Sequence, residues 1–273
     1  MVGLKRREFF KPVLGTVVFS AFPRAFASLS QAEAAQPTAH ERNSMSEPKR
    51  NRPEIGMLLF PGLNFLDLIG PHTLLAHSAN VHLIWKNLDL LTVDSGIAVK
   101  PTTSMESCPR DLDVLFVGGG PGLTDAMQDR AFLDFLADRG GRAKYVTSVC
   151  SGSMLLGAAG LLRGYKATSH WAYRDILPLF GAVPVNQRVV TDRNRITGGG
   201  VTAGIDFGLT LLSVLLGENV AKALQLANEY DPHPPFDAGT PEKAGPQITQ
   251  AVLAQMGPRL EKVRELARKM NIQ

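Results

Sequence analysis

The chain is predicted to fold as a three-layer α/β sandwich, a mainly parallel sheet with helices on both faces. Three observations predict it. Short, nearly continuous apolar runs recur at Ile55–Phe60, Val114–Val117 and Lys144–Val149, as expected of strands buried on both sides. Each run meets glycine, proline or small residues and is followed by apolar residues at helical spacing. Strands that alternate with helices join by crossovers, and crossovers make a sheet parallel. With 44% hydrophobic and 20% charged residues over 273 positions, the chain can bury one sizeable core.

The N-terminus reads as an address rather than as structure. Lys5, Arg6 and Arg7 precede an uncharged stretch from Pro12 to Pro23, and Ala25-Phe26-Ala27 gives an A-x-A cleavage pattern. The stretch is shorter than the ~20 apolar residues of a membrane-spanning helix. Arg6-Arg7-Glu8-Phe9-Phe10-Lys11 resembles the twin-arginine export motif. Residues 1–27 are therefore expected to be a signal peptide, removed on export to the periplasm, leaving no stable membrane insertion. If the signal is unused, the protein stays cytoplasmic. Residues 28–53, rich in Ala, Gln, Ser, Glu, Arg and Pro without apolar period, are expected to be a flexible linker. Residues 54–273 form one predicted domain.

In that domain Ile55–Phe60 is the first strand, stopped by Pro61-Gly62. Residues 64–78 have helical spacing at Leu68, Leu74 and Leu75, with a kink expected at Gly70-Pro71. Val81–Trp85 is a second strand, and segments 90–94 and 97–102 flank Ser95-Gly96 as a hairpin. After Val114–Val117 comes Gly118-Gly119-Gly120-Pro121-Gly122, then a helix over 124–139. Lys144–Val149 is a strand, and Ser151–Ala159 a helix with Gly160 near its C-cap. Helix is expected over 171–180, and one strand or a strand pair over 188–197. Thr202 is placed to N-cap an apolar helix ending near Gly217. A further helix covers 219–228. Val263, Leu266, Ala267 and Met270 mark a last helix, with Pro258 in its first turn.

Charge narrows the partners. Residues 1–53 hold nine Lys/Arg against four Glu, whereas the remainder holds 20 basic and 21 acidic residues. The excess charge sits in the N-terminal arm, so the body has no reason to bind nucleic acid. Two cysteines, Cys108 and Cys150, make neither a disulfide framework nor a Cys-rich zinc site. His72, His77, His82 and His233 have no metal-ligand spacing.

The chemistry centres on Tyr145-Val146-Thr147-Ser148-Val149-Cys150-Ser151-Gly152-Ser153. A strand runs through a tight turn into a helix, the mechanics of a nucleophile elbow. The Cys150 thiol then lies at a helix N-terminus, which favours thiolate. By itself the pattern fits a buried core cysteine equally well. Gly119 and Gly120 end the strand beside it, and their amides, with that of Ser151, could form an oxyanion-type pocket. Asp67, a lone acid in an apolar stretch, is either a first-turn dipole partner or an acid with a pKa raised by burial. His170 either approaches the thiol or caps a helix beside Trp171, and its position favours the cap.

Five segments together resemble the isonitrile hydratase branch of the ThiJ/PfpI superfamily: LLFPGLNFLDLIGP, DVLFVGGGPG, SVCSGSMLLGAAGLLRGYKATSHW, ITGGGVTAGIDFGL and NEYDPHPPFDAGTPE. They span about residues 55 to 245. The resemblance implies a flavodoxin-like fold, a homodimer, a small-molecule substrate and no cofactor. It implies Cys150 as nucleophile with Asp67 working beside it, and Ser151 keeps the hydroxyl of the family's usual threonine. Gly118 replaces a common proline, which is expected to loosen the pocket wall. Peptidase-like members carry His where Ser151 stands, and deglycase-type members carry Glu where Asp67 stands, so both activities are disfavoured. The implied reaction is hydration of an isonitrile to an N-substituted formamide through a Cys150 thioimidate, with Asp67 as acid and base. Alternatives are another cysteine-dependent hydrolase or deglycase-type enzyme of this fold, or a ligand- or redox-sensing module. Some AraC-type regulators carry a similar domain, but the 32 residues after Pro241 are too few for their DNA-binding part. A redox role would use Cys150 alone or bridged to Cys108.

Overall fold

The computed structural model describes residues 52–271; the expected signal peptide and most of the expected linker lie outside them. A seven-stranded sheet forms the centre. Its strands are β1 (Glu54–Leu58), β2 (Asn80–Trp85), β5 (Thr103–Ser104), β6 (Val114–Val117), β7 (Tyr145–Ser148), β10 (Val189–Asp192) and β11 (Arg195–Gly198). Their order is β10-β11-β7-β6-β1-β2-β5, and every pairing is parallel except the β10–β11 hairpin. Ile55 of β1 registers with Val81 on one side and Val114 on the other. The chain thus leaves β1 first toward β2 and later returns to its opposite edge. Such a reversal opens a crevice at the carboxyl ends of the strands. All four residues of β6 are buried, as continuous apolar sequence demands of a central parallel strand. Two small sheets lie outside: the expected hairpin, β3 (Leu91–Thr92) with β4 (Ala98–Val99), and β8 (Lys166–Ala167) with β9 (Val183–Pro184).

The helices are α1 (Phe65–Leu75), α2 (Leu123–Gln128), α3 (Arg130–Arg142), α4 (Gly152–Ala158), α5 (Ala203–Leu216), α6 (Glu218–Ala227) and α7 (Pro241–Asn271). Phe116 of β6 meets Phe207 of α5 at 5.6 Å, and Phe60 meets Phe132 of α3 edge-on at 5.9 Å. Burial of each such ring contributes roughly 1.5–3 kcal/mol.

Three expectations about the elements need correction. The helix expected over 124–139 is two, because Asp129 adopts extended backbone (φ −83°, ψ 97°) and caps α3 through Phe132 N–H at 3.2 Å. The helix expected over 171–180 is present as a 3-10 helix, Trp171–Phe180, containing Pro178. Helix α1 runs on through Pro71 and packs on α5. Pro258 lies inside α7, which starts at Pro241 and breaks only at Gly245 (φ 79°, ψ 168°). Leu253 and Met256 already pack on the core, so the apolar stripe begins upstream of that proline. Thr202 does occupy the N-cap position of α5, but its side chain makes no capping bond.

Candidate active site

Strand β7 ends at Ser148 and α4 begins at Gly152; between them Cys150 has φ 59°. A non-glycine residue in this left-handed region costs about 1–2 kcal/mol, so its surroundings must impose it. They do. The Cys150 N–H donates to Gly199 O at 2.7 Å and Gly198 O at 3.2 Å. Its carbonyl accepts from Ser169 Oγ at 3.0 Å and Ser153 Oγ at 3.3 Å. The small residues after the thiol have a steric cause. A Cβ on Gly152 would strike Val117 O and lie 2.8 Å from Gly118 C. The elbow read from the sequence is thus formed and fastened on both sides.

Asp67 is brought to the elbow from the far side of the crevice. Asn64 ends the β1–α1 turn, and its Oδ1 accepts from Leu66 N–H (3.1 Å) and Asp67 N–H (3.2 Å) as a helix cap. Asp67 falls in the first turn of α1, fully buried, and its Oδ2 accepts Gly119 N–H at 2.7 Å. Its Oδ1 has no conventional hydrogen-bond partner among the described residues. Burial pushes its pKa up to about 7, against the lowering effects of the Gly119 amide and the Cys150 thiol. The sequence left two readings of Asp67, and the burial agrees with the raised acid. The pocket wall is not loosened by Gly118. A Cβ there would lie 2.9 Å from both Asp67 Cβ and Leu63 Cδ1, so those side chains already fill the space.

The thiol is in a different state from the one the helix N-terminus suggested. Cys150 is free and only 7% exposed. Burial raises its pKa well above the ordinary thiol value, and the neighbouring Asp67 carboxyl raises it further. The backbone amides of Ser151 and Val201 oppose this but do not overcome it. The resting site therefore holds a neutral thiol beside a carboxyl that titrates near neutrality.

The amides expected to form the oxyanion-type pocket are distributed differently. Gly119 N–H is committed to Asp67, and Gly120 N–H donates to Ser151 Oγ at 3.3 Å. The amides of both glycines thus hold the machinery rather than face the substrate. A Cβ on Gly119 would strike Ser151 Oγ and lie 2.6 Å from Ser151 N. Ser151 supplies a hydroxyl that fastens the Gly120 loop and an amide that reaches the sulfur. The other amide, Val201, comes from the Gly198-Gly199-Gly200 turn before α5. That glycine run was the sequence signal for it.

A cavity of about 190 Å³ opens over Cys150, lined by Asn64, Gly120, His170, Tyr173, Met256 and Arg259 among others. His170 takes the capping role that its sequence position favoured, and it is not among the groups that act on the Cys150 thiol. Its Nδ1 accepts Ala172 N–H at 3.3 Å at the start of the 3-10 helix, and its ring also lines the cavity. Burial, with Arg174 nearby, lowers its pKa to about 4, so it stays neutral at pH 7 and adds no charge beside the thiol. Tyr173, Met256 and Arg259 were not anticipated: Tyr173 lies on the helix expected over 171–180 but carried no site signal, and Met256 and Arg259 lie on α7, which the sequence began too late. Cys108 is free and buried elsewhere, with Sγ donating to Pro109 O at 3.3 Å and Arg139 nearby. No group of three metal-binding side chains occurs among the described residues, and none of their helices is long and apolar enough to cross a membrane.

Residues 53–214 match the model of the DJ-1/PfpI family. The chain belongs to the DJ-1/PfpI family. The elbow cysteine, the buried acid and the parallel sheet of this DJ-1/PfpI domain sit wholly within the matched segment. The chain is 50% identical over 210 residues to the isonitrile hydratase of Pseudomonas putida, covering 76% of this chain and 92% of that protein. A crystal structure of a ThiJ/PfpI family protein from Pseudomonas syringae superposes with a TM-score of 0.78 at 46% identity, over 86% of this chain and 98% of that one. Its mainly parallel sheet with flanking helices is the flavodoxin-like fold. The transcriptional regulator GbdR of Pseudomonas aeruginosa is 28% identical over 67% of this chain but only 54% of its own length. Arg259 lies beyond the family match, in α7.

Proposed function

We propose that this DJ-1/PfpI enzyme hydrates an isonitrile to an N-substituted formamide, the activity named for its Pseudomonas putida relative. The observation that carries the reading is the coupled pair: a neutral, buried Cys150 thiol against a buried Asp67 that titrates at about 7. Hydrating an isonitrile needs a nucleophile and a proton delivered to the same carbon. A thiol coupled to such a carboxyl supplies both.

In the first step the Asp67 carboxylate takes the thiol proton as sulfur bonds to the terminal carbon of the isonitrile. The protonated Asp67 then gives that proton to the same carbon, leaving a thioimidate, R–N=CH–S–Cys150. In the second step Asp67 takes a proton from water as the oxygen bonds to this carbon, and the nitrogen takes that proton. The C–S bond breaks, the hydroxyl proton returns through Asp67 to sulfur, and the formamide R–NH–CHO leaves. The Ser151 and Val201 amides, aimed at the sulfur, stabilise its charge as each bond forms or breaks. His170 stays neutral and positions the wall. Intact-mass spectrometry after rapid acid quench should find an adduct of one isonitrile on the wild-type protein and none on Cys150→Ala. Turnover without any Cys150-dependent adduct would refute the thioimidate.

We also propose that the protein works as a homodimer, exported through its twin-arginine-type leader. A protonated resting thiol suits that destination, because the thiolate is the form that oxidants attack. Light scattering of the purified protein tests the first point, and cell fractionation with N-terminal sequencing the second. A monomer would refute the one, and an uncleaved cytoplasmic chain the other.

A further inference from the structure

The Cys150 cavity contains a cation for which the hydration chemistry has no use. Arg259 of α7 lines the cavity together with Tyr173, and its charge is near enough to the Tyr173 hydroxyl to oppose the rise in pKa that burial gives that group. Two other arginines end on carboxylates, the exposed Arg188 on Asp206 at 2.6 Å and the half-buried Arg264 on Asp175 at 2.5 Å, whereas the buried Arg195 ends on Leu161 O at 2.7 Å and Asn194 Oδ1 at 2.9 Å. Among the described residues, Arg259 takes part in no ion pair. The acid nearest in function, Asp94, lines the same cavity, but both its oxygens are occupied by Asn64 Nδ2 (2.8 Å) and Phe65 N–H (3.0 Å). Partial burial of a guanidinium without a carboxylate costs free energy, which an incoming anion would offset.

Nor does Arg259 serve the nucleophile. The groups that act on the Cys150 thiol are Asp67 and the Ser151 and Val201 amides; Arg259 is not one of them. Its planar fork is suited to a carboxylate, with the Tyr173 hydroxyl as a further donor. We propose that the isonitrile carries an anionic group, a carboxylate being the smallest, and that Arg259 with Tyr173 holds it in the Cys150 cavity. The inference rests on the isonitrile reading above for the reacting end of the substrate only. Cys150 and Arg259 line the same cavity, so the isocyano carbon and the acid have to be held in it together by one molecule.

The probes are isocyanoacetate and its neutral methyl ester, which differ by the charge and one methyl group. Wild-type protein should turn over the anion with the higher kcat/KM. In Arg259→Met the anion-to-ester ratio of kcat/KM should fall at least ten-fold, mostly through KM, and Arg259→Lys should recover part of it. A loss of fold would lower both substrates alike and leave the ratio unchanged. Tyr173→Phe, which keeps the ring, should lower the ratio less. An unchanged ratio in folded Arg259→Met would overturn the proposal. Binding of N-formylglycine, the anionic product, supplies a readout without turnover. If neither isonitrile is hydrated but N-formylglycine binding is lost at least ten-fold in Arg259→Met, the isonitrile reading fails and the anion site stands. If that binding is indifferent to Arg259, the anion site fails whatever the enzyme hydrates.

Discussion

Replacing Asp67 by Asn should make the protein more stable at alkaline pH while abolishing its activity. The unfolded chain ionises this carboxyl around its ordinary value of 3.8, whereas the fold holds it protonated up to about 7. Folding is therefore penalised progressively as pH rises from about 4 to about 7, and in full above that. At about 1.4 kcal/mol per pH unit the full penalty is roughly 4 kcal/mol. Asn keeps an oxygen to accept the Gly119 N–H and removes the ionisation. Urea denaturation of wild type and Asp67→Asn at pH 4.5 and pH 8 measures the effect. The advantage of the variant should grow by about 2–4 kcal/mol between the two, the lower figure allowing for relaxation around the ionised acid. A difference that stays constant with pH would refute both the burial argument and the raised acid. Formamide production by the variant should fall at least ~100-fold, the scale of a lost general acid–base group.

Three further outcomes follow from the same geometry. Because the Asp67 carboxylate must accept the thiol proton, kcat/KM should rise with pH through a single ionisation near 7; a flat profile from pH 5 to 8 would count against that role. Gly119→Ala should cost about 1–3 kcal/mol in urea denaturation and most of the activity, since its Cβ would displace Ser151 and with it the elbow. Cys108→Ala should retain wild-type turnover and cost only about 1 kcal/mol, because that thiol is bonded to Pro109 O in a separate environment. Loss of turnover in that variant would revive a paired-cysteine role.

The parts of this protein legible in its sequence are those governed by local rules. Apolar runs named β1, β6 and β7, because parallel strands buried on both faces leave little choice of residue. The elbow was legible because φ 59° at Cys150 demands small neighbours such as Gly152. Asp67 stood out as an acid where apolar side chains surround it. Other features depended on distant partners. The thiol's charge is set by Asp67, 83 positions earlier, and by burial, so the helix N-terminus alone pointed the wrong way. Gly119 and Gly120 were correctly placed at the site, but which acceptor each amide meets is a tertiary matter. Pro258 misled because proline marks helix starts locally, whereas the packing of Leu253 and Met256 carries α7 through it. That error also hid Arg259.

The most direct measurement is turnover of a simple isonitrile by the full chain and by Cys150→Ala in parallel, with the formamide quantified by mass spectrometry. Wild type should form the N-substituted formamide catalytically and Cys150→Ala none above the uncatalysed rate. Equal formamide production by the two proteins would contradict the thiol–carboxyl pair as the centre of this enzyme.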